Sequence, residues 1–328
     1  MIARLSALYQ PAKELTGCIA PRRADASAPL AAAAMAARYR PTRRNKGWPV
    51  LLAVLVTSAC SGNDLIPARN KAARFAAEAG WRYSLTDGGA FVVATALSPR
   101  PAQQTLTVYL EGDGLAFLGS RRISPDPTPS TPIALQMALN HADGAAAYVA
   151  RPCQYTLAAG QGKNCHPRYW TSHRYAPEVI DSIAQVVNGL KHSANASRLV
   201  LVGYSGGGTV AALLASQRDD VAGLVTIAAN LDVKYWVSRE RLAPLDGSLD
   251  PADFVRTLRA IPQIHLTGSD DDVVPADVIA SYLGKLGNGA AARSLRIQGF
   301  SHVCCWVEKW PELQHMTDLS TVMRAKNQ

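Results

Sequence analysis

The chain has 328 residues, 48% of them hydrophobic and 18% charged, with a formal net charge of +9. That charge is unevenly placed. Residues 1–59 hold nine Lys/Arg against two Asp/Glu, which leaves 25 against 23, or +2, for the 269 residues from Cys60 onward. Those 269 residues suit one domain with a sizeable core, and a near-balanced charge excludes nucleic-acid binding through a basic surface.

In chain order, the first readable stretch is Arg38–Lys46, which is strongly basic, followed by the apolar run Trp48–Val56. The run is far shorter than the roughly 20 residues that cross a bilayer. With Thr57, Ser58 and Ala59 closing it, residues 1–59 read as a secretory signal. Cys60 directly after these small residues makes the junction similar to a bacterial lipobox. That resemblance implies cleavage before Cys60, lipid attachment to its sulfur, and a place at the cell envelope on a membrane anchor. Residues 1–34 carry no usable pattern, and Met35, just ahead of the basic region, is a candidate true start. Residues 60–80 read as a tether running into a short helix, and 81–328 as the folded domain.

Strands and helices then alternate, which argues for an α/β domain: a mainly parallel sheet with helices on both faces. Phe91–Ala96 and Thr105–Leu110 read as strands. The second runs into Glu111-Gly112-Asp113-Gly114, where glycines let the backbone bend inward. Ser124–Pro132 is a proline-rich surface loop, placed near a site mouth because it follows that glycine loop. Ala145–Ala150 is a strand. Arg168–Tyr175 mixes aromatic and basic groups and reads equally as a cleft lining or a helix lead-in. Pro177–Leu190 is a helix with Val179, Ile180, Ile183, Val186, Val187 and Leu190 on one face.

The most informative run is Leu199–Val202, a buried strand that ends in Gly203-Tyr204-Ser205-Gly206-Gly207 and continues as the helix Thr209–Ala215. Gly-x-Ser-x-Gly between strand and helix has the form of a nucleophile elbow. Its crowded turn needs small neighbours, and the helix behind aims its N-terminal N–H groups at the reaction centre. Gly223–Ala228 is the next strand, with Asp232 beyond it. Residues 231–260, holding Tyr235 and Trp236, lie where a cap would sit. The strand Gln263–Gly268 leads into Asp270-Asp271-Asp272, and the strand Ser294–Gly299 into Phe300-Ser301-His302.

A serine hydroxyl is a poor nucleophile at neutral pH and needs a base to take its proton. His302 suits that role, with a carboxylate to hold its tautomer. The order serine, acid, histidine, each after a strand, resembles the α/β-hydrolase superfamily from about residue 90 to the C-terminus. The resemblance implies the α/β-hydrolase fold and a triad of Ser205, Asp271 and His302. Asp270 and Asp272 adjoin the chosen acid, and Asp232 is the runner-up position. It also implies an oxyanion hole. One donor is the N–H of Gly206. The other is the N–H of Asp113 or Gly114, because 111–114 is similar to the His-Gly-x-Gly loop of esterases with Glu111 in place of the histidine. The implied activity is hydrolysis of a carboxylic ester, small-molecule or lipid-like, through an acyl-serine intermediate. A peptidase or acyltransferase on the same triad, and a non-catalytic envelope binding protein, are the alternatives. No metal or organic cofactor is implied.

Beyond Cys18 and Cys60, the cysteines are Cys153, Cys165, Cys304 and Cys305. An even number in an exported chain reads as disulfides, with three connectivities open. Cys153–Cys165 closes a short loop and is favoured, which leaves Cys304–Cys305. The crossed pairing would pin the His302 loop. A zinc site from Cys153, Cys165, His166 and His173 fits no usual spacing.

Overall fold

A computed structural model describes residues 67–324, apart from 103 and 120. The segment 1–59 expected to be a signal, Met35, Cys60 and the first part of the expected tether lie outside the described residues. The packed region begins earlier than residue 81. Helix α1 (Ala68–Glu78) buries Ala72 and Ala76 completely and contacts the first strand, β1 (Arg82–Asp87). The short helix expected at the end of the tether is α1, and it packs into the core.

The strands continue as β2 (Val92–Leu97), β3 (Thr105–Leu110), a small hairpin of β4 (Phe117–Leu118) and β5 (Arg122–Ile123), β6 (Ala145–Val149), β7 (Arg198–Tyr204), β8 (Val221–Ile227), β9 (Gln263–Gly268) and β10 (Ala292–Ile297). All except the hairpin form one eight-stranded sheet in the order β1-β2-β6-β3-β7-β8-β9-β10. β2 runs antiparallel to both its neighbours, and the other pairings are parallel. With the hairpin set aside, the strand order is that of the α/β-hydrolase fold, as the sequence resemblance implied.

Parallel strands buried on both faces read as continuous apolar runs. β8, Val-Ala-Gly-Leu-Val-Thr-Ile, is buried at every position. Successive side chains point to opposite faces, so Val108 and Leu201 join one core while Tyr109, Val200 and Val202 join the other. The first face is covered by α3 (Pro177–Ser193), α4 (Gly206–Ser216) and α7 (Ala276–Leu286). The second is covered by α1, α2 (Ile133–Leu139), α8 (Trp306–Leu313) and α9 (Thr317–Met323). A buried histidine packs on each side of the sheet, His265 on the first against Tyr282 of α7 and His141 on the second. His265 meets Thr226 and His141 meets Tyr109, and burial pushes their pKa values down to about 3 and about 4. No helix among the described residues is long and apolar enough to cross a membrane.

Two expectations change. Ser124–Pro132 is not a surface loop: Ser124, Pro127, Thr128, Pro129 and Pro132 are buried. Tyr155 donates its N–H to Thr128, and Trp170 donates to the Ser124 carbonyl. In the segment 231–260, α5 (Val233–Glu240) and the single turn α6 (Val255–Leu258) stand between β8 and β9. Trp236 of α5 donates to the Val273 carbonyl and packs on Val274 and Val278. The segment expected as a cap thus braces the loop that carries Asp271.

Candidate active site

The parallel sheet brings the C-terminal ends of β3, β7, β9 and β10 to one edge, and a chemical residue follows each. At the end of β7, Ser205 has φ 50° and ψ −126°. A non-glycine residue there costs on the order of 1–3 kcal/mol and persists only where its surroundings impose it. They do: Ser205 donates its N–H to the Ile227 carbonyl of β8 and accepts from Gly208 through its own carbonyl. The turn leaves no room for side chains. A Cβ on Gly207 would collide with the carbonyls of Leu110 and Glu111.

His302 lies in the loop after β10, with its side chain 14% exposed. Its Nε2 is 3.0 Å from Ser205 Oγ, and its Nδ1 is 3.0 Å from Asp271 Oδ2. The acceptor-only carboxylate assigns the ring proton to Nδ1 and leaves Nε2 free to accept from the serine. Asp271 is buried after β9, and its Oδ1 also accepts from the N–H groups of Val273 and Val274. Three groups from three strand ends therefore form one hydrogen-bonded line. Of the competing acids, Asp270 bonds Ser269. Asp232 is occupied elsewhere: it caps α5 through the Tyr235 N–H, bonds Ser281 and pairs with Lys285 at 2.7 Å.

Several anchors escaped sequence reasoning. Tyr204, the variable residue of the elbow, donates its hydroxyl to the His302 carbonyl at 3.0 Å. The Trp306 indole donates to the carbonyls of Ser301 and His302, and Cys304 donates its N–H to Ser301 Oγ. Aromatic residues flanking a motif carry no local signal of such a role. The cysteines pair as Cys153–Cys165 and Cys304–Cys305, so the favoured connectivity is the one present. The second bridge begins two residues after His302, and Cys153 and Cys165 keep no free thiol for a metal.

The glycine loop after β3 lies against the elbow. Gly206 opens α4, so its N–H has no partner within the helix. The N–H groups of Asp113 and Gly114 meet no acceptor among the described residues. Gly114 has φ +67°, and a Cβ there would strike the Pro127 carbonyl. The proline-rich loop thus packs directly on it.

Both acidic residues of the loop are accounted for. Glu111 is 1% exposed and accepts from Gly112 N–H, Ala134 N–H at the start of α2, and Tyr148 hydroxyl. Burial dominates and pushes its pKa up to about 7. Asp113 accepts from Arg151 and Arg174, each at 2.8 Å, and from the Tyr175 hydroxyl at 3.1 Å. Burial opposes ionisation there, but the guanidinium groups of Arg174 and Arg151 outweigh it and hold the carboxyl below the usual range. Arg151 stands just past β6, the neighbour of β3, and that position was the available clue. Arg168–Tyr175 splits in two: Arg174 and Tyr175 turn in to Asp113, while Arg168 and Tyr169 line a recess of about 460 Å³ that has neither Ser205 nor His302 in its wall.

No family model and no curated protein matches the sequence. Solved structures do. An acylaminoacyl peptidase from Pyrococcus horikoshii matches with a TM-score of 0.53 at 11% identity, over 75% of this chain and 41% of that one. A puromycin-hydrolyzing peptidase from Mycobacterium tuberculosis matches with a TM-score of 0.52 at 15% identity, over 71% of this chain and 37% of that one. An α/β serine hydrolase homologue from Coxiella burnetii matches with a TM-score of 0.50 at 13% identity, over 74% of this chain and 97% of that one. The chain thus spans about two fifths of the two peptidases and nearly all of the third. It has the α/β-hydrolase fold, and the structures similar to it in backbone are those of serine hydrolases and peptidases.

Proposed function

We propose that the protein is a serine hydrolase that cleaves a carboxylic ester through an acyl-serine intermediate. The observation that carries this reading is the line Ser205 Oγ to His302 Nε2 at 3.0 Å and His302 Nδ1 to Asp271 at 3.0 Å, beginning at a strained elbow. In the first step His302 takes the hydroxyl proton as Ser205 Oγ bonds to the carbonyl carbon. The carbonyl oxygen becomes the oxyanion, met by the N–H groups of Gly206 and Asp113 or Gly114. As the tetrahedral species collapses, the ester C–O bond breaks and His302 returns the proton to the departing alkoxide. Water, deprotonated by His302, then releases the acid and regenerates Ser205. Asp271 stays ionised and stabilises the imidazolium.

The triad does not choose the acyl acceptor, so amide cleavage or acyl transfer uses the same steps. The peptidases among the structural neighbours keep that second reading in view. The test is a fluorophosphonate, which bonds covalently to an activated serine, read by intact mass beside Ser205→Ala. Labelling of the parent alone is the expected result; a folded, unlabelled parent overturns the reading in favour of a binding scaffold.

We further infer from the sequence alone that the chain is exported and lipid-anchored at Cys60. Cys60→Ser is expected to move it from the membrane to the soluble fraction. An unlipidated chain that stays with membranes overturns this.

A further inference from the structure

The proposed mechanism leaves open why a site that must stabilise an oxyanion has a carboxylate in its donor loop. The Asp113 carboxylate occupies the space a Cβ on Gly206 would need, so it touches the residue that supplies the other donor. A bare negative charge there would oppose the developing oxyanion in a site of low dielectric. It is not bare. Arg151 and Arg174 grip separate carboxylate oxygens, and their side chains are only 5% and 12% exposed. Arg151 also donates to the Arg174 carbonyl and lies 5.2 Å over the Tyr175 ring. Tyr175 continues through Asn230 to Thr209 on α4. Two guanidiniums against one carboxylate leave the cluster one positive charge beside the elbow, and the two arginines come from different segments.

We propose that Arg151 and Arg174 are positioning residues for oxyanion stabilisation: by clamping the Asp113 carboxylate they hold the Asp113 backbone N–H against the elbow and replace a net negative charge there with a net positive one. Neither arginine touches the substrate. They act through Asp113, and removing one both loosens the donor and exposes the charge it masked. A displaced donor or an opposing charge affects the transition state more than the bound ester.

The inference rests on Ser205 being the nucleophile, and the experiment separates the two. Each variant is titrated with the fluorophosphonate to count working sites, and kcat and KM are measured on p-nitrophenyl acetate per titrated site. Arg174→Gln is expected to lower kcat by about 10- to 100-fold with KM within about threefold. Adding Asp113→Asn to it removes the exposed charge and is expected to restore kcat by about tenfold. A merely structural role would lower the fraction of titratable sites and leave kcat per site unchanged, which overturns the proposal. So does an Arg174→Gln loss that Asp113→Asn fails to repair. If Arg174→Gln does not fold, Arg174→Lys keeps the charge and decides the matter: a kcat within about fivefold of the parent is expected, and a loss near 100-fold in a folded protein overturns the proposal. A parent that takes no label is a failure of the nucleophile reading instead.

Discussion

Ser205 and Asp113 lie at the ends of adjacent strands and are held by opposite means. The elbow is a backbone device. Its serine is placed by main-chain hydrogen bonds to Ile227 and Gly208 and by glycines that leave no alternative path. The glycine loop is a side-chain device, with Asp113 placed by two arginines and a tyrosine, and Glu111 by a helix start and Tyr148. The first arrangement is local and tolerates partial exposure. The second depends on burial, because its ion pairs are strong only where water is kept out. A mobile carboxylate beside an oxyanion would be harmful; a clamped and overcompensated one is not.

The largest effects should come from the backbone device. Ser205→Ala or His302→Ala is expected to lower kcat by ~10⁴-fold or more with an unchanged melting curve, since the members of such a line act as a unit. Retention of activity by either variant would remove the basis for treating the line as catalytic. Asp271→Asn should cost ~10³- to 10⁴-fold by upsetting the imidazole tautomer. Asp232→Asn, by contrast, keeps a side-chain oxygen for the α5 cap, should leave kcat alone and should lower stability by about 1–2 kcal/mol through the charge it no longer offers Ser281 and Lys285. If the two acids exchanged these effects, the assignment of the acid would be reversed.

Glu111 offers a subtler test of the buried device. Its pKa is raised to about 7 by burial, above the ~4.3 of an unfolded glutamate. Between those values the unfolded chain has lost the proton and the native one keeps it, so stability falls as pH rises from about 4.5 to about 7 and levels off above. The contribution is on the order of 3 kcal/mol. Denaturant titrations of parent and Glu111→Gln across that range should therefore diverge with rising pH, the glutamine variant gaining. Parallel curves would mean that Glu111 ionises freely in the native state. An effect on stability alone is expected from Cys153→Ser with Cys165→Ser. The bridge spans a sequence separation of 12, and opening so short a loop costs about 2–3 kcal/mol while kcat per titrated site holds.

These contrasts follow what was legible in the residues. The elbow was readable because its constraints are local: an apolar run, a serine and glycines whose spacing carries the geometry. β3 and β9 match their expected bounds because buried parallel strands leave an apolar signature. β1 did not declare itself, since an edge strand of half-buried residues alternates weakly. The proline-rich run 124–132 looked solvated by composition, yet it is packed because the glycine loop needs a wall at Pro127.

By itself the sequence determined the strand that ends in Ser205 and the order of serine, acid and histidine, because each is written in neighbouring residues or in chain order. Only the tertiary structure decided that Asp271 rather than Asp232 meets His302, that Tyr204 and Trp306 anchor the histidine loop, and that Asp113 is clamped by Arg151 and Arg174. Those partners stand 38 and 61 residues away from Asp113. No spacing rule joins them, because they meet only when the sheet sets the ends of its strands side by side and the surrounding burial makes a charge seek its opposite.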